Sequence, residues 1–257
     1  MLVQFTYLIT KDIVETIEQQ IQNTLSSNAQ NRLRLLEEEF LKKFWTFIPG
    51  TIDKRIISAQ ELRKELSYIT KTIPFVSLDR IYFLEADAYL DITRITNPET
   101  YSASLGPRPG AKTINEQIEE IKKYDRIMLG DVGAFEGNTI IDITTQIERA
   151  GIRVENIILG CVGRDARTKI ELIKPLTALY TFAFYEWIEL RDLFGIDGRK
   201  TENSAYIPYW NNLRSWASIE EKNIAQVEQL CREAYAQTIA VLRNEEIQKI
   251  RLSGVER

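Results

Sequence analysis

The chain has 257 residues, of which 44% are hydrophobic and 27% charged, and its formal net charge is −4. This composition is typical of a folded globular protein, and the mildly acidic balance gives no support to non-specific binding of nucleic acid or of a membrane surface. No apolar run is long enough to span a bilayer, and the first residues lack the pattern of a signal peptide, so we expect a cytoplasmic protein.

The chain contains no histidine, which excludes Ser-His-Asp and Cys-His hydrolases and HExxH zinc sites. Any acid–base chemistry must therefore use other side chains or the substrate itself. The two cysteines, Cys161 and Cys231, have no metal-binding or redox spacing, and we expect both to be reduced core thiols.

The first third of the chain is predicted to be mainly helical. Residues 12 to about 48 form two helices, with Asp12 as the first cap and a polar break at residues 26–28. A capping-box pattern at residues 58–61 opens a third helix that ends before Pro74. These helices are expected to serve as scaffold against a sheet or as a cover over a site.

Residues 80–84, Arg-Ile-Tyr-Phe-Leu, are predicted to form the first clear strand. Two carboxylates, Glu85 and Asp87, follow it directly. Carboxylates at a strand end suit a metal ion or a substrate hydroxyl, and solvated turn residues are the alternative.

Residues 91–112 combine three prolines and two glycines, which excludes a regular helix. Arg94, Arg108 and Lys112 lie in this segment. A mobile basic loop here suits pyrophosphate, because the arginine fork binds it in a bidentate manner and a loop can close over it. A surface loop that carries three cations is an equal alternative. A helix from Ile114 to Lys123 is expected next.

The central segment, residues 126–140, combines a strand, a glycine-rich loop and a helix start. Ile127–Leu129 form the strand, and the loop contains Gly130, Gly133 and Gly137. The helix that follows, with Asn138 and Thr139 as candidate caps, ends at Gly151 and leads into a strand at residues 157–159. This order predicts one βαβ unit.

The loop between the strand and the helix of this unit is a candidate binding site, because open α/β sheets bind ligands at the carboxyl ends of their strands. The amides of a helix amino end suit a phosphate, which we expect over residues 134–139. Asp131, at the predicted strand end, suits sugar hydroxyls or a divalent metal. An ordinary turn without a ligand is the alternative.

Three later segments carry further candidates. The loop 160–167 shares the same sheet edge, and Arg164 and Arg167 are expected to form surface salt bridges rather than ligand contacts. Residues 178–194 begin as an aromatic-rich strand, and four of its side chains suit either a base pocket or the core: Trp187, Glu189, Arg191 and Asp192. From Ile219 to about Leu252 a long helix is expected, which packs within the fold or pairs with a second subunit.

The segment Arg126–Ile140 resembles the PRPP-binding motif of the type I phosphoribosyltransferases. Asp131 matches the second acid of that motif, and Gly137 and Thr139 match the end of its loop. The chain departs from the motif at Gly130, where the first acid belongs, and its loop is one residue longer. Phe135 and Glu136 replace small residues of the motif.

The resemblance implies an α/β fold with a mainly parallel sheet, helices on both faces and helical additions at both ends. The implied parts are an N-terminal helical extension (1–75), a phosphoribosyltransferase-like core (76–185) and a hood-like segment with a C-terminal helix (186–257). It also implies phosphoribosyl transfer from PRPP with Mg²⁺ to a nucleobase-like acceptor, without a nucleic-acid or membrane partner. A homodimer is one expected assembly.

The resemblance also implies roles for individual residues. Asp131 and Arg108 would take part in catalysis, Asp131 and Asp87 would hold the metal, and Arg94 and Lys112 would bind pyrophosphate. The 5′-phosphate would lie on the loop and be held by Gly133, Ala134, Phe135, Glu136, Gly137, Asn138 and Thr139. The acceptor would lie in the hood-like segment, where Trp187, Arg191 and Asp192 would bind it. A non-catalytic nucleotide- or PRPP-binding regulatory module and another α/β nucleotide or sugar-phosphate enzyme are the alternatives.

Overall fold

The computed structural model describes residues 4–69, 71–97, 99–100, 102–202, 206–245 and 247. It is an α/β protein in which mostly parallel strands are flanked by helices, which confirms the predicted class. The chain divides into two compact units. The first unit contains Ala59–Ile95 and Ala103–Phe184, and the second contains the described parts of 2–58, 96–102 and 185–257.

The elements follow one another in the order strand, helix and strand through much of the chain. The strands are β1 (Thr6–Lys11), β2 (Asp53–Ser58), β3 (Phe75–Ser77), β4 (Ala88–Tyr89), β5 (Ile92–Thr96), β6 (Ala103–Pro107), β7 (Arg126–Ala134), β8 (Arg153–Gly163), β9 (Leu176–Phe182), β10 (Phe184–Glu189), β11 (Arg199–Lys200) and β12 (Tyr206–Ile207). The helices are α1 (Ile13–Ile21), α2 (Ser27–Phe44), α3 (Ala59–Ser67), α4 (Ile114–Ile121), α5 (Asn138–Arg149), α6 (Arg164–Glu171), α7 (Leu190–Leu193), α8 (Leu213–Trp216) and α9 (Ile224–Asn244).

A five-stranded parallel sheet forms the centre of the first unit, in the order β4-β3-β7-β8-β9. The sequence order reverses between β3 and β7, since β4 lies on one side of β3 and β7 on the other. In open parallel sheets, ligands bind outside the carboxyl ends of the strands at such a point of reversal. The residues that follow β3, β7 and β8 are therefore the first place to look for a site.

The core of the first unit lies between this sheet and α4, α5 and α6. Helix α5 buries Ile140, Ile143 and Ile147 at helical spacing, and strands β7 and β8 contribute the buried residues Leu129 and Ile157. Burial of this apolar stripe fixes α5 on the sheet, and so fixes where its amino end lies.

The second unit has its own core. Strands β10, β1 and β2 form a three-stranded sheet in that order, with β1 and β2 parallel. Aromatic side chains fill much of this core, and Phe40 contacts both Phe44 and Phe194 with ring centroids 5.5 and 4.9 Å apart. The two cysteines are free and buried, Cys161 in the first unit and Cys231 in the second.

Several predicted elements are confirmed. The two helices predicted between residues 12 and about 48 are α1 and α2, although the break between them covers residues 22–26 rather than 26–28. The Ser26 hydroxyl caps α2 by accepting a hydrogen bond from the Ala29 amide. The helix expected after residue 58 is α3, although it ends at Ser67 rather than near residue 73. The predicted C-terminal helix is α9, which begins at Ile224, and the end predicted near Leu252 lies outside the described residues.

The predicted strand at residues 80–84 is wrong. Those residues belong to the turns between β3 and β4, and Asp79 holds them. Its Oδ1 atom accepts hydrogen bonds from the amides of Ile81 at 2.6 Å and Tyr82 at 2.7 Å. The apolar run is buried as expected, but a side-chain oxygen rather than a neighbouring strand satisfies its backbone.

Two other regions contain strands that the pattern did not indicate. The predicted N-terminal helical extension includes β1 and β2, and the predicted basic loop 91–112 contains β5 and β6, which are neighbours in a sheet. The boundaries of the three predicted parts of the chain remain predictions. Among the described residues, no helix combines the length and the apolar composition that crossing a membrane requires.

Candidate functional site

The loop after β7 is shorter than predicted. Strand β7 continues to Ala134, because β8 is long enough to pair with it throughout: Gly133 lies opposite Cys161, and Ala134 opposite Val162. Gly133 and Ala134, which were expected in a phosphate loop, therefore belong to the sheet. The loop itself is Phe135, Glu136 and Gly137, and α5 begins at Asn138.

Gly130 lies inside β7, and its missing side chain is a packing requirement. A Cβ atom there would stand 2.3 Å from Cζ of Phe75 and 3.4 Å from Cζ of Phe83. The two phenylalanine rings contact each other with centroids 5.1 Å apart, and both residues are buried. The position at which the phosphoribosyltransferase motif has its first acid is thus filled by an aromatic ring from β3.

Asp131 lies one residue further along β7, opposite Leu159, rather than at the strand end. The residue is half-buried, and its Oδ1 atom accepts a hydrogen bond from the Val132 amide at 2.8 Å. Strand β3 ends at Ser77, which is level with Gly130. Asp131 is therefore the first residue of β7 beyond the reach of β3, at the point where the strand order reverses.

The amino end of α5 carries no side-chain cap. Gly137 occupies the cap position with φ of +85°, a conformation that favours glycine. In the described part of the chain, no side chain accepts from the amides of Asn138, Thr139 or Ile140. Asn138 and Thr139 were predicted as caps, but they lie within the first helical turn, so three amides and the positive end of the helix dipole stay open.

Glu136 does not fold back over these amides. Its Oε2 atom accepts from the side-chain amide of Asn138 at 3.1 Å, and both residues are exposed. An acid in this loop repels a phosphate unless its side chain is directed elsewhere. The hydrogen bond to Asn138 gives the Glu136 carboxylate such an alternative position.

The loop packs closely against the start of α6. A Cβ atom on Gly163 would lie 2.5 Å from the Phe135 carbonyl oxygen, and one on Gly137 would lie 3.5 Å from Cβ of Ala166. Two helices thus begin side by side, each at the carboxyl end of a parallel strand. Glycine at position 163 allows this approach, whereas a Cβ atom on Gly137 would make only an ordinary van der Waals contact.

Two arginines at the start of α6 differ in their partners. Arg167 donates to Glu171 and to Thr181, as the prediction of surface salt bridging required. Arg164 is exposed and has no side-chain partner within the described residues. A cation at a helix amino end is unfavourable beside the positive end of the dipole, so a bound anion would stabilise Arg164 there.

An aromatic ladder runs from β9 to the loop, and we define it as Tyr180, Phe182, Phe184 and Phe135. Successive ring centroids lie 6.2, 5.5 and 5.3 Å apart, and the Phe135 and Phe184 rings are nearly parallel, with an angle of 11° between their planes. Tyr180 donates to Glu61 of α3 at 3.3 Å, which fixes the far end. The sequence prediction gave Phe184 no role at the site, although aromatic residues at alternate positions of a strand were the available signal.

The three predicted pyrophosphate residues lie at separate points of the first unit. Arg94 is exposed on β5, and Arg108 is half-buried just after β6, where its amide donates to the Asp91 carbonyl at 2.8 Å. Lys112 forms an ion pair with Glu120 of α4, and this contact raises the pKa of the lysine. The segment is organised by β5, β6 and these contacts rather than being an irregular loop.

Asp87 does not share the edge of the sheet at which Asp131 lies. Its carboxylate accepts from the Phe75 amide at 2.7 Å, so it is level with the amino end of β3. Within the described residues, no group of three or more potential metal ligands from acidic or cysteine side chains is found. The role predicted for the pair Asp131 and Asp87 as metal ligands stays a prediction.

The residues predicted to frame an acceptor belong to the second unit. Arg191 is only 3% exposed and forms ion pairs with Asp12 at 2.9 Å and Glu189 at 2.6 Å. Desolvation, together with the negative charges of Glu189 and Asp197, raises the pKa of Asp192 to about 7. Trp187 is half-buried on β10. These contacts give Arg191 a structural function within its own unit.

An open groove of about 440 Å³ lies along α5 in the first unit, but it does not include the loop 135–137. It is bounded by outward-facing residues of α5 and by β6: Ser104, Leu105, Asp142, Thr145, Gln146 and Arg149. The groove begins beyond the first turn of α5, so it leaves the open amides outside. Its location therefore adds nothing to the candidate site.

No family model matches the chain, and no curated protein matches it. Among solved structures, the chain is similar to an adenine phosphoribosyltransferase from Thermoanaerobacter pseudethanolicus, with 16% identity and a TM-score of 0.33. The match covers 48% of this chain and 77% of that chain. At this TM-score the similarity identifies neither a family nor an activity, and the candidate site rests on the residues described above.

Proposed function

We propose that the chain binds a ribose 5-phosphate group, as PRPP or as a nucleotide, with the 5′-phosphate on the amino end of α5. One observation supports this most strongly: the amides of Asn138, Thr139 and Ile140 lack side-chain partners in the described chain, directly after a parallel strand. Three adjacent donors at the positive end of a helix dipole suit a phosphate.

The surroundings of the loop fit an anion. Gly137 has no side chain that could cap α5, so the first amides of the helix are left without a side-chain acceptor. Arg164 supplies a positive charge beside the loop, with no competing carboxylate partner among the described residues. A guanidinium can bind two phosphate oxygens at once, which adds geometric selectivity to the charge.

Asp131 supports the sugar part of the proposal. A half-buried carboxylate at the reversal point of the sheet can accept hydrogen bonds from ribose hydroxyls. In this proposal Mg²⁺ enters with the diphosphate of PRPP and contacts the chain at Asp131. A cytoplasmic location, suited to two reduced cysteines, belongs to the same proposal.

Binding without transfer is the second candidate, and Phe75 favours it. Its ring occupies the space that an acid at position 130 would need, so the chain offers one carboxylate where the phosphoribosyltransferase motif has two. Phosphoribosyl transfer with one carboxylate would rely on the other residues to position the substrates and neutralise their charge. A regulatory module that senses PRPP or a nucleotide requires only the loop, Arg164 and Asp131.

Calorimetry with ribose 5-phosphate, and with PRPP in the presence and absence of Mg²⁺, tests the proposal. We expect saturable binding of both ligands, and a large loss of affinity in Asp131→Asn. The matched control is Asp142→Asn, which removes the charge of an exposed aspartate on α5 and should leave affinity unchanged. Absence of binding to the unmodified protein would overturn the proposal.

Pyrophosphate release separates the two candidates once binding is established. PRPP and Mg²⁺ would be incubated with a panel of nucleobases. Base-dependent release of pyrophosphate identifies a transferase. Binding of PRPP without release under any base identifies a non-catalytic module.

A further inference from the structure

The aromatic ladder ends in the loop at which we place the phosphate. Phe135 belongs to that loop, directly before Glu136 and Gly137, and the amides of the proposed phosphate site begin at Asn138. At most about 11 Å of chain separates Phe135 from Asn138. An aromatic ring and a phosphate site therefore lie next to each other on one short loop.

Phe135 is held in a fixed position and yet remains exposed. It stacks on Phe184 with nearly parallel rings, and the two centroids are 5.3 Å apart. Even so, 38% of Phe135 is exposed, which leaves part of its ring accessible to a ligand. A ring whose orientation is fixed before binding loses little entropy when a second ring stacks on it.

We propose that Phe135, supported by Phe184 and Phe182, is a stacking platform for the base of a nucleoside 5′-phosphate. This inference rests on the proposed function, since the phosphate on α5 is what brings the base within reach of the ladder. The ribose joins the two, and Asp131, four residues before Phe135 in the sequence, is the carboxylate to which we assign its hydroxyls. The ligand class is then a nucleotide rather than PRPP or a sugar phosphate alone.

The platform replaces the base pocket predicted from the sequence. Trp187, Arg191 and Asp192 belong to the second unit, where Arg191 is buried in ion pairs with Asp12 and Glu189. The ladder and the loop belong to the first unit, and each ring-to-ring contact between them is made within it. Stacking on an aromatic face tolerates any base, so selectivity among bases is expected to be modest.

Comparative calorimetry tests the platform, with adenosine 5′-monophosphate and ribose 5-phosphate as the two ligands. We expect the nucleotide to bind about tenfold more tightly, which is within the contribution that stacking on one aromatic side chain makes. Phe135→Ala should abolish this difference, so that the nucleotide and ribose 5-phosphate bind the variant with equal affinity. Phe135→Leu, which keeps an apolar side chain in the loop, guards against loss of the fold and should reduce the difference in the same direction. Phe5→Ala is the control, because Phe5 is 50% exposed and belongs to the second unit.

The outcomes separate this inference from the proposed function. If ribose 5-phosphate binds and the nucleotide binds no better, the platform is wrong and the phosphate site stands. If the nucleotide binds better but neither Phe135 variant changes the difference, the base lies elsewhere and the platform is again wrong. If neither ligand binds, the proposed function fails and the platform fails with it.

Discussion

The Cζ atom of Phe75 lies 2.3 Å from the point at which a Cβ atom on Gly130 would stand. The two residues are on neighbouring parallel strands, with Phe75 paired to Met128 two positions before Gly130. The ring therefore lies over the glycine and fills the space of its missing side chain. This contact leaves no space for a side chain at position 130 unless Phe75 moves.

Gly130→Ala should destabilise the protein by about 1–3 kcal/mol, because an extra methyl group overpacks a filled core. Strand propensity alone predicts the opposite sign, since alanine is easier than glycine to fix in a strand. Urea unfolding measures the change. Phe75→Leu in the same chain should recover part of the loss by making space.

The control for this pair is Gly50→Ala, because a Cβ atom on Gly50 would meet nothing within 4 Å. Its effect should be small. Equal stabilities of Gly130→Ala and the unmodified protein would show that Phe75 moves aside without cost. An acid at position 130 would then be sterically possible.

Arg164 and Arg167 offer a matched pair of substitutions on one helix. Arg164→Ala should weaken ribose 5-phosphate binding by about ten- to a hundredfold, since a lost hydrogen bond to a charged group costs about 1.5–3 kcal/mol. Arg167→Ala should have a much smaller effect, because its guanidinium is occupied by Glu171 and Thr181. Calorimetry at two salt concentrations measures both. A larger loss for Arg167→Ala would place the anion elsewhere on α6.

Because the pKa of Asp192 is raised in the folded protein, we expect the stability of the protein to fall as the pH rises. Its folded pKa is raised to about 7, whereas an aspartate in an unfolded chain titrates near about 3.9. Between these values the folded state holds a proton that the unfolded state has released, so stability from this group is complete below about pH 4 and is lost up to about pH 7. The groups around Asp192 that set this shift include the acids Glu189 and Asp197 and the cations Arg191 and Arg199.

Urea unfolding of the unmodified protein and of Asp192→Asn at pH 5, 6, 7 and 8 checks this prediction. The variant cannot lose the proton, so its stability relative to the unmodified protein should increase with pH and level off above about pH 7. A relative stability that is constant from pH 5 to pH 8 would contradict it. Taking the difference between the two proteins removes the contributions of their other titrating groups.

The sequence predicted a binding role for Arg191, but its burial leads us to expect that its substitution lowers the stability of the fold. Removal of one partner from a buried ion pair typically costs about 3–5 kcal/mol, so Arg191→Met should strongly destabilise the fold. Arg214→Met is the control, because the pair of Arg214 with Glu221 is 75% and 76% exposed. The loss of stability in Arg214→Met should be much smaller than in Arg191→Met. Similar losses for the two variants, measured by urea unfolding, would contradict a buried ionic function for Arg191.

Much of the fold around the site could be predicted from local patterns. The apolar spacing of Ile140, Ile143 and Ile147 marked α5, and the βαβ order around it followed from tight joints. The end of β7 could not be predicted, because residues 130–134 have few of the side chains typical of strands. They are held in a strand by pairing with β8, which is a non-local contact.

The same limit applies to the site. Asn138 and Thr139 have the chemistry of helix caps, but the helix begins one residue earlier than that chemistry suggests, because Gly137 can adopt a positive φ at the cap. Residues 80–84 have the composition of a strand, yet Asp79 satisfies their backbone and no strand forms. The buried ion pair between Arg191 and Asp12 joins residues that are 179 positions apart in the sequence, and no local pattern reveals such a contact.

Amide chemical shifts measured during a titration with ribose 5-phosphate test the central claim most directly. In ¹⁵N-labelled protein, the account predicts that the amides of Asn138, Thr139 and Ile140 shift most, and that they saturate together with the calorimetric binding curve. If the ligand binds while these three amides keep their positions, the phosphate lies elsewhere. The proposal for the amino end of α5 would then be contradicted.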